Sequence, residues 1–303
     1  MTIAGSGAWM KEGAAPAIMS VMCRLSRLRR LALLLAAGGS TLAADPIEQA
    51  LNRLYNFDFP GSHALLDSQI ASRPDEAAPY AVRSAVYLFF ELDRLGILEA
   101  EFFTDDERIT NKKKIQPDPE VKRRFLKAVD DAQSRARATL ASRPDDRNAW
   151  FAKCVSLGVL VDYTALVEKR HMGSLSVAKR SNECAQRLLR LDPQSYDAHV
   201  TTGFSEYLLG SLPFLVRWVV RFENVQGSKQ KAIENLRLAA TSGRYFKAFA
   251  KILLSIVYLR EKQPRESERL LGELAREYPE NPLIRKEWAR LSARLGTGPV
   301  EQK

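Results

Sequence analysis

Cys154 and Cys184 are the two side chains whose type and spacing most invite chemistry. Segments 148–167 and 174–191 read as helices joined near residue 169, and both cysteines lie equally far from that turn. Folded back as a hairpin, the helices would bring the thiols level with one another. In an oxidising compartment the pair could close a disulfide, a bond that contributes about 2–4 kcal/mol. They read somewhat more readily as two small buried residues at a close helix crossing, because cysteine is among the most buried residue types. Glu206 and Asp197, the latter nine residues earlier, could face one groove as an acid/base pair beside Tyr207. Such carboxylate pairs also decorate ordinary helix surfaces. The three histidines, His63, His171 and His199, have no His, Cys or acidic partner at metal-ligand spacing. The chain has no Gly-x-Ser-x-Gly elbow, no phosphate-cradling glycine loop and no Cys-x-x-Cys. A non-enzymatic protein without metal or cofactor is the expectation.

The elements that must position these residues are helices. Four junctions, Ser72-Arg73-Pro74-Asp75, Ser142-Arg143-Pro144-Asp145, Leu191-Asp192-Pro193-Gln194 and Tyr278-Pro279-Glu280-Asn281, each end one helix and lead into another. Proline cannot continue a helix and biases its predecessor away from the helical region. Asp45 followed by Pro46 predicts a helix start, and Phe59-Pro60-Gly61-Ser62 a break. Helices are expected over 121–140, 148–167, 174–191 (capped by Ser174), 196–209, 214–222, 229–240, 246–261, 265–278 and 282–295. Residues 96–120, with Lys112-Lys113-Lys114 and Pro117-Asp118-Pro119, predict an insertion loop. No alternating strand pattern occurs, so the fold class is all-α. In the last helix Ile284, Trp288, Leu291 and Leu295 form one apolar stripe, with Arg285, Lys286, Glu287, Arg290 and Arg294 predicted to cover the rest as a solvated cap.

Ala248 to Asn281 spans 34 residues, with Leu254, Ser255 and Tyr258 in a first helix and Ser267, Leu271 and Pro279 marking a second. This unit resembles a tetratricopeptide repeat (TPR), in which small residues let paired helices approach and a proline closes the unit. Lys251 stands where the motif has an aromatic residue, and Leu274 where it has a small one. Ala132 and Ala136 before Pro144, and Ser62 and Leu66 before Pro74, repeat part of the pattern. The resemblance implies a degenerate TPR-like α-solenoid over 45–295, with 296–303 as a disordered tail. It also implies a concave binding face lined by first helices, with Asn148, Phe151, Asp197, Val200, Phe249 and Ile252 as candidates.

Residues 1–43 read as an upstream extension and a signal peptide. Arg24, Arg27, Arg29 and Arg30 precede the aliphatic run Leu31–Ala37, and Thr41-Leu42-Ala43 offers a small-residue cleavage site. Met1, Met19 and Met22 are alternative starts, and Cys23 lies before the apolar run, not at the cleavage point. The chain carries 46 basic and 36 acidic side chains. Residues 1–43 hold five of the basic ones and one acidic one, so the rest of the chain falls from +10 to +6. The remaining charge is spread along the chain, which disfavours a nucleic-acid partner. With no Asn-x-Ser/Thr site, a periplasmic or secreted bacterial protein is the expected address.

Three functions compete on these observations. The leading one is a scaffold or adaptor of the cell envelope that binds a protein or peptide. A second is a membrane-peripheral factor contacting lipid through 212–222, where Trp218 and Phe222 share an apolar face opposite Arg217 and Arg221, although a core helix carries the same pattern. A third is a periplasmic hydrolase using Glu206.

Overall fold

The computed structural model describes residues 45–99, 116–211 and 225–297, apart from the side chains of 171 and 172. All regular structure among them is helical, in the order α1 Pro46–Tyr55, α2 Phe59–Ser72, α3 Ala77–Arg94, α4 Pro119–Ser142, α5 Arg147–Asp162, α6 His171–Leu191, α7 Ala198–Ser211, α8 Lys229–Ser242, α9 Lys247–Arg260, α10 Pro264–Glu277 and α11 Pro282–Leu295. Helix α5 runs on into a π-helical turn, Tyr163–Val167. The helices pair as α1/α2, α3/α4, α5/α6, α7/α8 and α9/α10, each pair packing on the next, with α11 against α10. The architecture is an all-α solenoid of stacked helix hairpins.

Local chemistry sets the helix starts. Asp45, Asp58, Asp118, Asp146, Ser228 and Asn281 each accept backbone N–H groups of the first turn from their side chains. Five of the described helices carry proline at their first or second position, where its missing N–H would have no intrahelical partner anyway. That rule corrects one expectation. Phe59-Pro60-Gly61-Ser62 is the first turn of α2, not a break, and the chain reverses one step earlier through Phe57 at φ 64°. Ser174 likewise lies inside α6 and is buried, because the turn is made upstream by Lys169 at φ 55°.

Between hairpins the punctuation is regular. Ser62, Ala132, Ser181 and Ser267 lie twelve residues before Pro74, Pro144, Pro193 and Pro279, and all four are at most 2% exposed. Each sits on the second helix of its pair, where the absence of a bulky side chain lets helices close up. The fourth hairpin ends without proline, at Gly243. A Cβ there would lie 2.5 Å from the Ala239 carbonyl oxygen and 2.9 Å from Asp197 Oδ1. The expected insertion falls between the two helices of one hairpin, α3 and α4, as does the segment between α7 and α8. The segment 212–222 and residues 298–303 of the expected 296–303 tail, like residues 1–44, lie outside the described residues.

The core is a series of apolar clusters along the array, one of which joins the array's two ends. Ile47, Leu51 and Leu54 of α1 share one apolar cluster with Val82 and Val86 of α3, Ala248 of α9, Leu274 of α10 and Ile284 of α11. Polar contacts follow the same seam. Asn281 Nδ2 donates to the Tyr55 carbonyl at 2.7 Å, and the Tyr245 hydroxyl donates to Asp45 Oδ2 at 2.7 Å. Arg244 pairs with both Asp45 and Glu48. Lys251, at the motif's aromatic position, is buried between Glu273 and Glu277, while Leu274, at its small position, is fully buried in the closing seam. In α11 Ile284 and Leu291 face inward as expected, but Glu287 is buried with them, because that face turns towards the rest of the array.

Candidate functional site

The expected concave face is largely occupied by the chain itself. Phe151, in the first turn of α5, packs on Tyr245 and Phe246 with ring centroids 5.0 and 5.8 Å away. Phe249 of α9 meets Phe89 of α3 edge-on at 5.6 Å. Ile252 packs on the cluster that joins the array's ends, and Val200 is buried among Leu236, Ala250 and Leu254. Asn148 is exposed at the start of α5. Phe89, Phe151, Tyr245, Phe246, Phe249 and Ile252 all remain half-buried, so this aromatic seam still reaches solvent.

Both carboxylates considered for acid/base work are engaged with the backbone. Asp197, just before α7, accepts the N–H groups of Arg244, Tyr245 and Phe246 at 2.8–3.2 Å, closing the turn that leads into α9. Burial raises its pKa against the lowering effect of these amides. Glu206, 2% exposed, accepts N–H from Gln226 and Ser228 at 3.2 and 3.0 Å and pairs with Lys231 at 3.2 Å. The two carboxylates therefore serve different turns and do not form a pair across a groove. His63 lies 4.4 Å from the Tyr87 ring, and His199 6.4 Å from Tyr196. Burial lowers the pKa of both histidines. Among the described residues no group of three or more His, Cys, Asp or Glu side chains could hold a metal ion.

The α5/α6 hairpin brings Cys154 and Cys184 together, as the spacing required. Both are buried free thiols within one apolar cluster between the two helices. The neighbouring Cys154 lowers the pKa of Cys184, and Lys153 and Arg180 add to that lowering. Cys154 is raised by its neighbour Cys184 and by burial. Their surroundings differ as well. Cys184 forms part of the wall of a pocket of about 300 Å³ that is also lined by Trp150, Lys153, Leu157, Arg180, Glu183, Arg187 and Arg190. Lys153 Nζ sits 4.6 Å from the Trp150 ring centroid, and Arg187 pairs with Asp145 across the hairpin junction. Arg180, Glu183 and Arg190 are exposed. The sequence reading missed this pocket. Its signal was there in the helical recurrence of Arg180, Cys184, Arg187 and Arg190 on α6, one face at spacings of three and four.

No protein-family model matches this chain, and no curated protein matches it. Among solved structures, the chain is similar to a thermophilic TPR protein from Thermus thermophilus, at 14% identity and a TM-score of 0.45 over 82% of this chain and 97% of that one.

Proposed function

We propose that the chain is an exported helical-repeat scaffold of the cell envelope that binds a protein or peptide partner, without catalysis of its own. The observation that carries this reading is the half-buried aromatic seam of Phe89, Phe151, Tyr245, Phe246 and Phe249, built from the first helices α3, α5 and α9 and the turn that leads into α9. Aromatic anchors in partly desolvated positions dominate protein-binding energetics. Asp197 and Glu206 support the same reading, because hydrogen bonds to the backbone hold both carboxylates in place. The address rests on the arginine-flanked aliphatic run before residue 44.

The test is photo-crosslinking in intact cells followed by envelope fractionation. A benzophenone side chain at Asn148 or Ile252 should capture one reproducible protein from the soluble periplasmic fraction. The same group at Leu238, exposed on α8, should capture none. Equal capture from all three positions overturns the assignment of the face. Recovery in the cytosol with residues 24–43 intact overturns the address.

A further inference from the structure

We propose that Cys184 and Cys154 form a redox-active dithiol whose oxidant is a small anionic disulfide admitted through the α5/α6 pocket. The inference stands apart from the scaffold reading, since it uses a different part of the array.

Three features of geometry carry it. The two thiols are packed in one buried cluster on the facing helices α5 and α6, so an intramolecular disulfide joins side chains that are already neighbours. Of the two, Cys184 lines the pocket, so a ligand held there meets that sulfur first. The pocket holds four cations against the single carboxylate of Glu183, and of the four only Arg187 is paired, with Asp145. Trp150 and Leu157 supply apolar wall beside those charges, so an anionic disulfide with a compact organic body matches both surfaces. The same cations favour the thiolate, which is the nucleophile.

The Cys184 thiolate attacks one sulfur of the disulfide R–S–S–R, forming a mixed disulfide and releasing R–S⁻, which takes a proton from solvent. Cys154 then gives up its proton to solvent and attacks the Cys184 sulfur, expelling the second R–S⁻. Two protein thiols lose two electrons in forming the Cys154–Cys184 bond, and the small disulfide gains them in becoming two thiols.

The experiment uses the reduced, purified full chain carrying Cys23→Ser, which removes the third thiol. The probes are 5,5′-dithiobis(2-nitrobenzoate), which is anionic, and cystamine, which is cationic. Relative to their rates with free cysteine, the anionic probe should react with the folded protein roughly tenfold faster than the cationic one at low salt. That preference should shrink in high salt. Two equivalents of thiol should be released, leaving the protein disulfide. Cys154→Ser should release one equivalent and retain the adduct on Cys184. Arg180→Gln and Arg190→Gln, both at exposed positions, should cut the charge preference while circular dichroism stays unchanged. Equal relative rates for the two probes overturn the anionic assignment. First modification at Cys154, or reaction only after urea unfolding, overturns the site.

Discussion

Replacing Asp162 with asparagine should stabilise the protein, and more so at high pH. Asp162 ends α5 where the π-helical turn begins, close to the negative end of the helix dipole, and it makes no side-chain capping bond. Burial pushes its carboxyl from an ordinary value of 3.8 up to about 7. The sign follows from proton counting. Between those two values the folded state keeps the proton and the unfolded state has lost it, so folding takes one up and stability falls as pH rises. Below 3.8 the carboxyl is neutral in both states and the penalty vanishes. Above about 7 both states are ionised and the penalty is complete. At 1.36 kcal/mol per unit the full shift amounts to about 4 kcal/mol, and to about 2 once solvent reaching this half-buried carboxyl is allowed for. Asparagine keeps the shape and removes the charge. Urea unfolding of both proteins at pH 5 and pH 8 reads the effect, and groups common to both cancel in the difference. The gain of Asp162→Asn over wild type should be about 1–2 kcal/mol larger at pH 8 than at pH 5. A gain that is the same at both values refutes the reasoning.

Two further substitutions probe the punctuation and the closure of the array. Gly243→Ala places a Cβ against the Ala239 carbonyl and the Asp197 carboxylate, so thermal unfolding should show a loss of about 1–3 kcal/mol. Asn281→Ala removes both the N-cap of α11 and the buried donor to the Tyr55 carbonyl. Its cost should be about 2–3 kcal/mol by urea titration, and a cost below about 0.5 would mean the seam contributes little.

The hairpins and their order were legible because local chemistry specifies them. Proline and a small residue twelve positions upstream mark the ends of the first, second, third and fifth pairs, joined by an Asx cap after the second and the fifth, without any knowledge of what lies across the core. The fourth boundary, placed at Gly243 without a proline, differs in that Gly243 closes it together with Asp197, which lies on the previous hairpin junction. That dependence made the Pro193–Pro279 interval look irregular. Insertions between α3 and α4 and between α7 and α8 lengthened single hairpins without altering their packing, which blurred the period further. The thiol pairing was legible from symmetry about one turn. The pocket was not, because it needs the rotation of α6 about its axis relative to α5. Nor was the engagement of Phe151, Phe249 and Ile252, which depends on first helices from distant hairpins meeting one another.

That meeting of the two ends changes how such a chain can acquire its structure. In an open repeat array each unit needs only its neighbour, so order can spread from whichever unit forms first. Here the apolar side of α1 is completed by Ala248, Leu274 and Ile284, about 200 or more positions further along the chain. A chain emerging amino-terminus first would hold that stripe uncovered until nearly its last helix is free. Completion then arrives late and all together, and a chain cut short before residue 284 would leave its beginning, not its end, as the exposed surface.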